Sequence, residues 1–296
     1  MAPALELVLL GTGSPLPNPD RCGAGHVVIA GDLRVMVDCG WGVARRLFAA
    51  AIPPPSIDVV CYTHLHSDHI TDTPDFLIMR WAGGAKKPLE VYGPVGTKAM
   101  IDGFLAAMSA DIGYRFAHHG EKLSREGIVC NVHEIPAAPD RTRAAEIAGL
   151  TIDAFEVDHF PVVPALGYRF ERDGKSLVFS GDTKKCDGLV RGAREADLLV
   201  SEALNAGMWQ IMIARIRQMG NENTASVMED VPSYHSTTLE VAEMARDARV
   251  KHLVLSHLLP SPPAHGPLVD NFANGMAEIY GGPITIGKDL QRFAIE

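Results

Sequence analysis

Four side chains able to bind a metal ion stand within six residues at His64-Leu65-His66-Ser67-Asp68-His69. Neutral imidazole and carboxylate are good ligands for zinc and similar divalent cations. If the backbone stays extended, positions 64 and 66 point the same way. Asp68 and His69, in the turn that follows, can aim at a second point. One tight loop can thus feed two cations a few ångströms apart, the arrangement of two-metal hydrolases. The plain alternative is a surface loop that happens to be rich in histidine. Four ligand types in six positions, directly behind an apolar strand, argue against it.

Four ligands do not close two sites, so more are needed. Three later residues each sit just past an apolar strand, where loops gather at one edge. His159 follows residues 154–157, Asp182 follows residues 177–179 in Ser180-Gly181-Asp182-Thr183, and His257 follows residues 253–256. An aspartate can bridge two cations through its two oxygens, and Asp182 is the natural bridge.

The elements that must position these residues alternate along the whole chain. Residues 57–63 form a β-branched, apolar run that leads straight into the histidine cluster. Residues 5–10 predict a strand, ended by Gly11-Thr12-Gly13-Ser14-Pro15, and residues 26–30 and 33–37 predict a hairpin across Gly31-Asp32. A helix is expected over 41–51, closed by Pro53-Pro54-Pro55. Further strands are expected over 151–157, 165–171, 176–180, 197–200, 252–256 and 290–295, and a helix over 237–247. Residues 207–218 carry Met208, Ile211, Met212 and Ile216 at helical spacing, which suits a core-facing or subunit-facing helix better than a lid. Asp38 is read as a brace of the first helix, not as a ligand. The pattern is that of a layered α/β protein, taken as one domain over residues 1–296.

Composition narrows the function classes. The 296 residues are 47% apolar and 21% charged, an ordinary globular balance. A net charge of −9 argues against a broad nucleic-acid-binding surface and leaves room only for a local basic patch. Lys86-Lys87 is too short for one, and residues 141–143 suit a solvated loop. Cys22, Cys39, Cys61, Cys130 and Cys186 are odd in number with no C-x-x-C pair, as expected of reduced thiols. No signal peptide and no membrane-length apolar run are visible, so the cytoplasm is expected.

The run His64, His66, Asp68, His69 resembles the H-x-H-x-D-H signature of the metallo-β-lactamase superfamily. The resemblance extends from Leu10-Gly11-Thr12-Gly13 through Asp38-Cys39-Gly40 to His257. Within it the chain looks most like the ribonuclease Z and arylsulfatase-like branch. Three features carry that finer likeness: His159 followed by Gly167-Tyr168-Arg169-Phe170, Glu202 in Leu199-Val200-Ser201-Glu202-Ala203, and His235-Ser236-Thr237 ahead of a helix. The resemblance implies a single-domain four-layer αβ/βα sandwich with the metals at one edge. It implies that His64, His66 and His159 hold one cation and that Asp68, His69 and His257 hold the other, with Asp182 between. His235 would lie near the metals without binding them, hydrogen-bonded by Glu202. Zinc is the expected ion, although manganese or iron(II) suits the same ligands, and a homodimer is expected.

One departure matters. Ribonuclease Z enzymes commonly carry a long arm that grips transfer RNA, inserted between the positions of His159 and Asp182. Here that interval is short and strand-like. Together with the acidic charge, this places a small phosphodiester or sulfate ester first as substrate. The expected mechanism is attack by a metal-bridging hydroxide that Asp68 helps orient. His235, held in its charged form by Glu202, protonates the leaving oxygen. Transfer-RNA 3′ processing stands second. Lactone or organophosphate hydrolysis, and a binding protein that has lost turnover, stand behind it. No membrane partner is expected.

Overall fold

A computed structural model describes residues 3–136, 138 and 140–296. Two seven-stranded sheets are present. The first runs in the order β14-β1-β2-β3-β4-β5-β6, with β1 Leu5–Gly11, β2 Gly25–Ala30, β3 Leu33–Val37, β4 Val59–Cys61, β5 Leu89–Pro94, β6 Cys130–Ile135 and β14 Arg292–Ile295. The second runs β13-β12-β11-β10-β9-β8-β7, with β7 Thr142–Ile147, β8 Leu150–His159, β9 Val162–Arg172, β10 Lys175–Phe179, β11 Leu198–Leu204, β12 Leu253–Leu259 and β13 Ile284–Ile286.

Three apolar layers show how the parts stack. Leu7, Val35 and Val59 of the first sheet pack with Ile152, Phe170 and Val200 of the second, forming the core between the sheets. Beyond the first sheet, Val60 and Val91 meet Leu47 of α1 (Val43–Ala49) and Phe76 of α3 (Thr73–Ala82). Beyond the second, Val178 and Leu253 meet Leu189 of α6 (Asp187–Gly192) and Val241 of α9 (Thr238–Asp247). The result is the expected helix–sheet–sheet–helix sandwich. The central strands of both sheets are buried on both faces, so several of them, such as β1 and β12, are near-continuous hydrophobic runs.

Local sequence explains the helices nearest the site. Thr237 caps α9 by accepting from the Glu240 amide, while the Glu240 carboxylate accepts from the Thr237 amide. Asn205 caps α7 (Ala206–Gln218) and Asn221 caps α8 (Glu222–Asp230) in the same manner. Trp209, Ile213, Ala225 and Met228 form a small separate core that holds α7 against α8. Of the residues expected to make the apolar face of this helix, Met212 and Ile216 pack partly on that core, whereas Ile211 is exposed.

Several expected elements differ in extent, among them two at the site. The strand expected over 57–63 pairs only as β4, Val59–Cys61. The Thr63 amide leaves the sheet and donates to Asp38 Oδ1 at 2.8 Å, which turns the chain out toward the histidines. The strand expected over 252–256 continues through His257 to Leu259. Between His159 and Asp182 the chain forms only β9, β10 and their turns, without a protruding arm.

Candidate metal centre

The first four candidates sit where β4 ends. His66 is extended (φ −64°, ψ 148°) and precedes the short helix α2 (Ser67–Ile70), which carries Asp68 and His69. The backbone of α2 is clamped from behind. Cys39 N donates to the His69 carbonyl at 2.7 Å, and Asp72 N donates to the Cys39 carbonyl at 3.0 Å. Gly40 is required there, because a Cβ at that position would lie 2.0 Å from the Asp68 carbonyl.

The other candidates arrive from the second sheet. His159 is the last residue of β8. Asp182 follows β10 after Gly181, whose φ of 60° makes the turn. His257 sits inside β12 at a bulge: Ser256 pairs with Glu202 and Leu258 with Ala203, while His257 is skipped and takes a φ of 42°. The bulge re-aims its side chain toward the edge, a common use of this irregularity. A strand-end expectation missed it because the apolar run is unbroken.

The ligand atoms then converge into two clusters. His64, His66, His159 and Asp182 each offer an atom within 4.8 Å of the others, and so do Asp68, His69 and His257. His64 Nε2 and His159 Nε2 lie 3.0 and 3.3 Å from His66 Nδ1. His257 Nε2 lies 3.1 Å from Asp68 Oδ2 and 3.4 Å from Asp182 Oδ2. His69 Nε2 and Asp182 Oδ1 face each other at 3.4 Å, both buried and both without a hydrogen bond. Buried polar atoms are rarely left so, and such a pair fits a cation shared between them. Burial pushes the pKa values of His64, His66 and His159 down, which keeps these rings in the neutral, metal-binding form. Against burial, the carboxylates of Asp182, Asp68 and Asp38 push the pKa of His69 well up.

Asp38 does more than brace a helix. Its Oδ1 accepts from Thr63 N, and its Oδ2 accepts from Thr63 Oγ1 at 2.9 Å and from His69 Nδ1 at 2.9 Å. This fixes the His69 ring with Nε2 toward the cluster, the usual support of a histidine ligand. Its left-handed φ of 58° is one that aspartate and asparagine tolerate better than most residues. No sequence signal beyond the Asp38-Cys39-Gly40 motif points to this role.

His235 and Glu202 meet as expected: His235 Nδ1 lies 2.7 Å from Glu202 Oε2, and Glu202 Oε1 accepts from the Thr183 amide at 2.6 Å. A ring nitrogen of His235 lies within 4.8 Å of Asp182 and His257 ligand atoms. The electrostatics differ from the expectation. Burial, then the Asp182 carboxylate, pushes Glu202 well up, while burial pulls His235 down. Glu202 therefore orients the ring more than it charges it. Beside the cluster a pocket of about 360 Å³ opens between Leu16, Trp209, Met228, Val231 and Tyr234. Trp209 lines this pocket, Phe160 lies on a neighbouring groove and Met212 lines another pocket beside α7. Thr12 and Ser14 are structural, bonded to Asp289 and Ser261.

A two-sheet sandwich with a histidine–aspartate cluster at its edge is the plan of a metal-dependent hydrolase of the metallo-β-lactamase fold. The family described as the beta-lactamase superfamily domain matches residues 33–258, and the chain belongs to it. Within that superfamily its relatives carry a narrower name. It is 38% identical to the Ribonuclease Z of Mycobacterium bovis (strain BCG / Pasteur 1173P2) and 37% identical to that of Mycobacterium tuberculosis (strain ATCC 25177 / H37Ra), with 98% of this chain and 98% of each relative covered. The solved structure of human tRNase Z, short form, superposes with a TM-score of 0.72 at 22% identity, covering 98% of this chain and 99% of that one. The curated relatives named Ribonuclease Z back the ribonuclease Z reading, placed second on sequence, better than the small-ester reading placed first. No described helix is long and apolar enough to cross a membrane.

Proposed function

We propose that this chain is a binuclear metal-dependent phosphodiesterase of the ribonuclease Z type, cutting precursor transfer RNA near its 3′ end. His64, His66 and His159 hold one cation, Asp68, His69 and His257 hold the other, and Asp182 lies between them. The observation that carries the metal assignment is the buried, unbonded pair His69 Nε2 and Asp182 Oδ1. The relatives named ribonuclease Z support the substrate. Bound divalent cations supply Lewis-acid chemistry, polarising phosphoryl oxygens and lowering the pKa of water. The protein's own groups do the rest. Asp68 has one carboxylate oxygen engaged by His257 and a second to orient an attacking water. His235, oriented through Nδ1 by Glu202, presents its other nitrogen to protonate the leaving oxygen.

The pocket beside the cluster is of a size for one base or one aryl group next to the scissile ester. It gives the enzyme a way to turn over activated aryl phosphodiesters as well. The five cysteines are all free, which suits a reducing cytoplasm. The test is a panel assay of metal-loaded protein on precursor transfer RNA, bis-aryl phosphodiester and aryl sulfate. RNA should be cut at one position near its 3′ end and with the highest kcat/KM. Aryl sulfate turned over faster than RNA would overturn the proposal.

A further inference from the structure

A cavity of about 630 Å³ lies at the end of the second sheet away from the metal cluster. Seven lysines and arginines line it against four acids, a positive balance on a chain of net charge −9. The cations come from separate segments: Arg141 ahead of β7, Arg169 and Arg172 on β9, Lys175 at the start of β10, Arg194 after α6 and Lys251 before β12. The acids are engaged. Arg169 donates to Glu171 at 2.6 Å, Arg172 lies 3.5 Å from Asp173, Lys251 donates to Asp197 at 2.8 Å, and Arg249 pairs with Glu195 at 2.7 Å. Among the described residues Lys175 and Arg194 have no acidic partner within ion-pair distance. Arg169 is buried and held by the carbonyls of Gly192 and Arg194, so the floor is fixed. No aromatic ring lines the cavity, which offers a grip for phosphates and no platform for bases.

A second groove, of about 320 Å³, is lined by His159 and Phe160 beside the candidate metal centre and shares Arg191 with the basic cavity. Phe160 and Val163 are 69% and 64% exposed at its mouth. Of its two acids, Asp158 lies 3.2 Å from Lys184, and Glu156 is the other. His159 and Thr151, near the two ends of β8, lie about 27 Å apart along the strand.

We propose that the basic cavity and the groove beside His159 together form a track that holds the phosphodiester backbone of the RNA substrate away from the cut. The inference rests on the RNA reading above. Such a contact is independent of sequence and falls with salt. The sequence hides it: its cations are spread over more than a hundred positions, and Arg141, in the stretch expected to be a solvated loop, lines the cavity where β7 begins at Thr142.

The test measures binding of a 3′-extended transfer RNA to metal-loaded protein by fluorescence anisotropy at several salt concentrations. The variant is Lys175→Glu with Arg194→Glu, and the charge-matched control is Lys86→Glu with Lys87→Glu. The proposal expects the first variant to weaken Kd roughly tenfold or more at low salt and to lower the salt slope by about 1–2, with bis-aryl phosphodiester turnover unchanged. The control should stay within about twofold of wild type, the scatter set against a tenfold effect. If the first variant melts early, the paired alanine substitutions must show the same direction at smaller size. Equal Kd and slope in variant and control, with wild type still cutting RNA, overturn the track alone. A wild type that neither binds nor cuts RNA overturns the functional reading and the track with it.

Discussion

Asp38→Asn separates the support of the metal centre from its ligands. Asp38 is 3% exposed and accepts three hydrogen bonds, two from Thr63 and one from His69 Nδ1. Alanine would leave the Thr63 amide and the His69 ring unbonded, and it strains at a φ of 58°. At about 1–3 kcal/mol for each buried orphan and more for a lost charged acceptor, that change costs about 3–6 kcal/mol, enough to threaten folding. Asparagine keeps the left-handed backbone and the acceptor facing the Thr63 amide. Its NH2 group then replaces Oδ2 and faces His69 Nδ1. Donor meets donor, so His69 must take the opposite tautomer and carry its proton on Nε2, the atom aimed at the cluster. The expected cost is about 1–3 kcal/mol in stability and a roughly 10–100-fold loss of metal affinity. Chelator competition on the folded protein measures the affinity, and a melting curve without metal measures the stability. A folded Asp38→Asn protein with wild-type metal affinity would refute the reasoning.

Other consequences are open to similar tests. His235→Ala should keep both metals and lower turnover of substrates with poor leaving groups by roughly 10²–10⁴-fold, with a smaller loss on activated aryl esters; loss of metal in this variant would assign it to the ligands. Gly40→Ala should fail to give soluble, metal-binding protein, because its methyl group would meet the Asp68 carbonyl at 2.0 Å; a wild-type melting curve would contradict the packing. His26 stacks on Phe179 with centroids 5.3 Å apart, and burial pushes it down from 6.5 to about 3. Below 6.5 the unfolded chain binds the proton that the folded chain refuses, so stability is lost as pH falls from 6.5 toward 3. At pH 5 this amounts to about 2 kcal/mol, and His26→Leu should lose that much less than wild type between pH 7.5 and pH 5 in urea titrations.

Residues whose role is written in local pattern were legible in the sequence. The cluster from His64 to His69, the capped helix after His235 and the alternation of strands all depend on neighbours along the chain, so spacing and residue type suffice. His159 and Asp182, which the fold brings into the cluster, could be singled out because a ligand type directly after an apolar run is itself local. His257 was found for a reason that proved incomplete: it lies on a bulge within β12, and a bulge leaves no mark in an apolar run. Asp38 joins Thr63 and His69 across the fold, and such a partnership has no local signature. The balance of charge in Glu202 and His235 depends on burial, which spacing does not report. Residues 73–135, with α3, α4 (Thr97–Ala107), α5 (Ser109–His119), β5 and β6, carried no chemical marker and went unassigned. The short interval between His159 and Asp182 showed that no arm is inserted there. It did not show what could replace one, because the basic cavity is assembled by β7, β9, β10 and α6 together.

The central claim is that this edge holds two divalent cations with Asp182 between them. Metal analysis of purified, metal-loaded protein tests it directly, with Asp182→Ala measured beside wild type. The account predicts close to two ions per wild-type chain, as in two-metal sites, and at most one in the variant. A wild-type content at or below one, or a variant that keeps both ions, would contradict it.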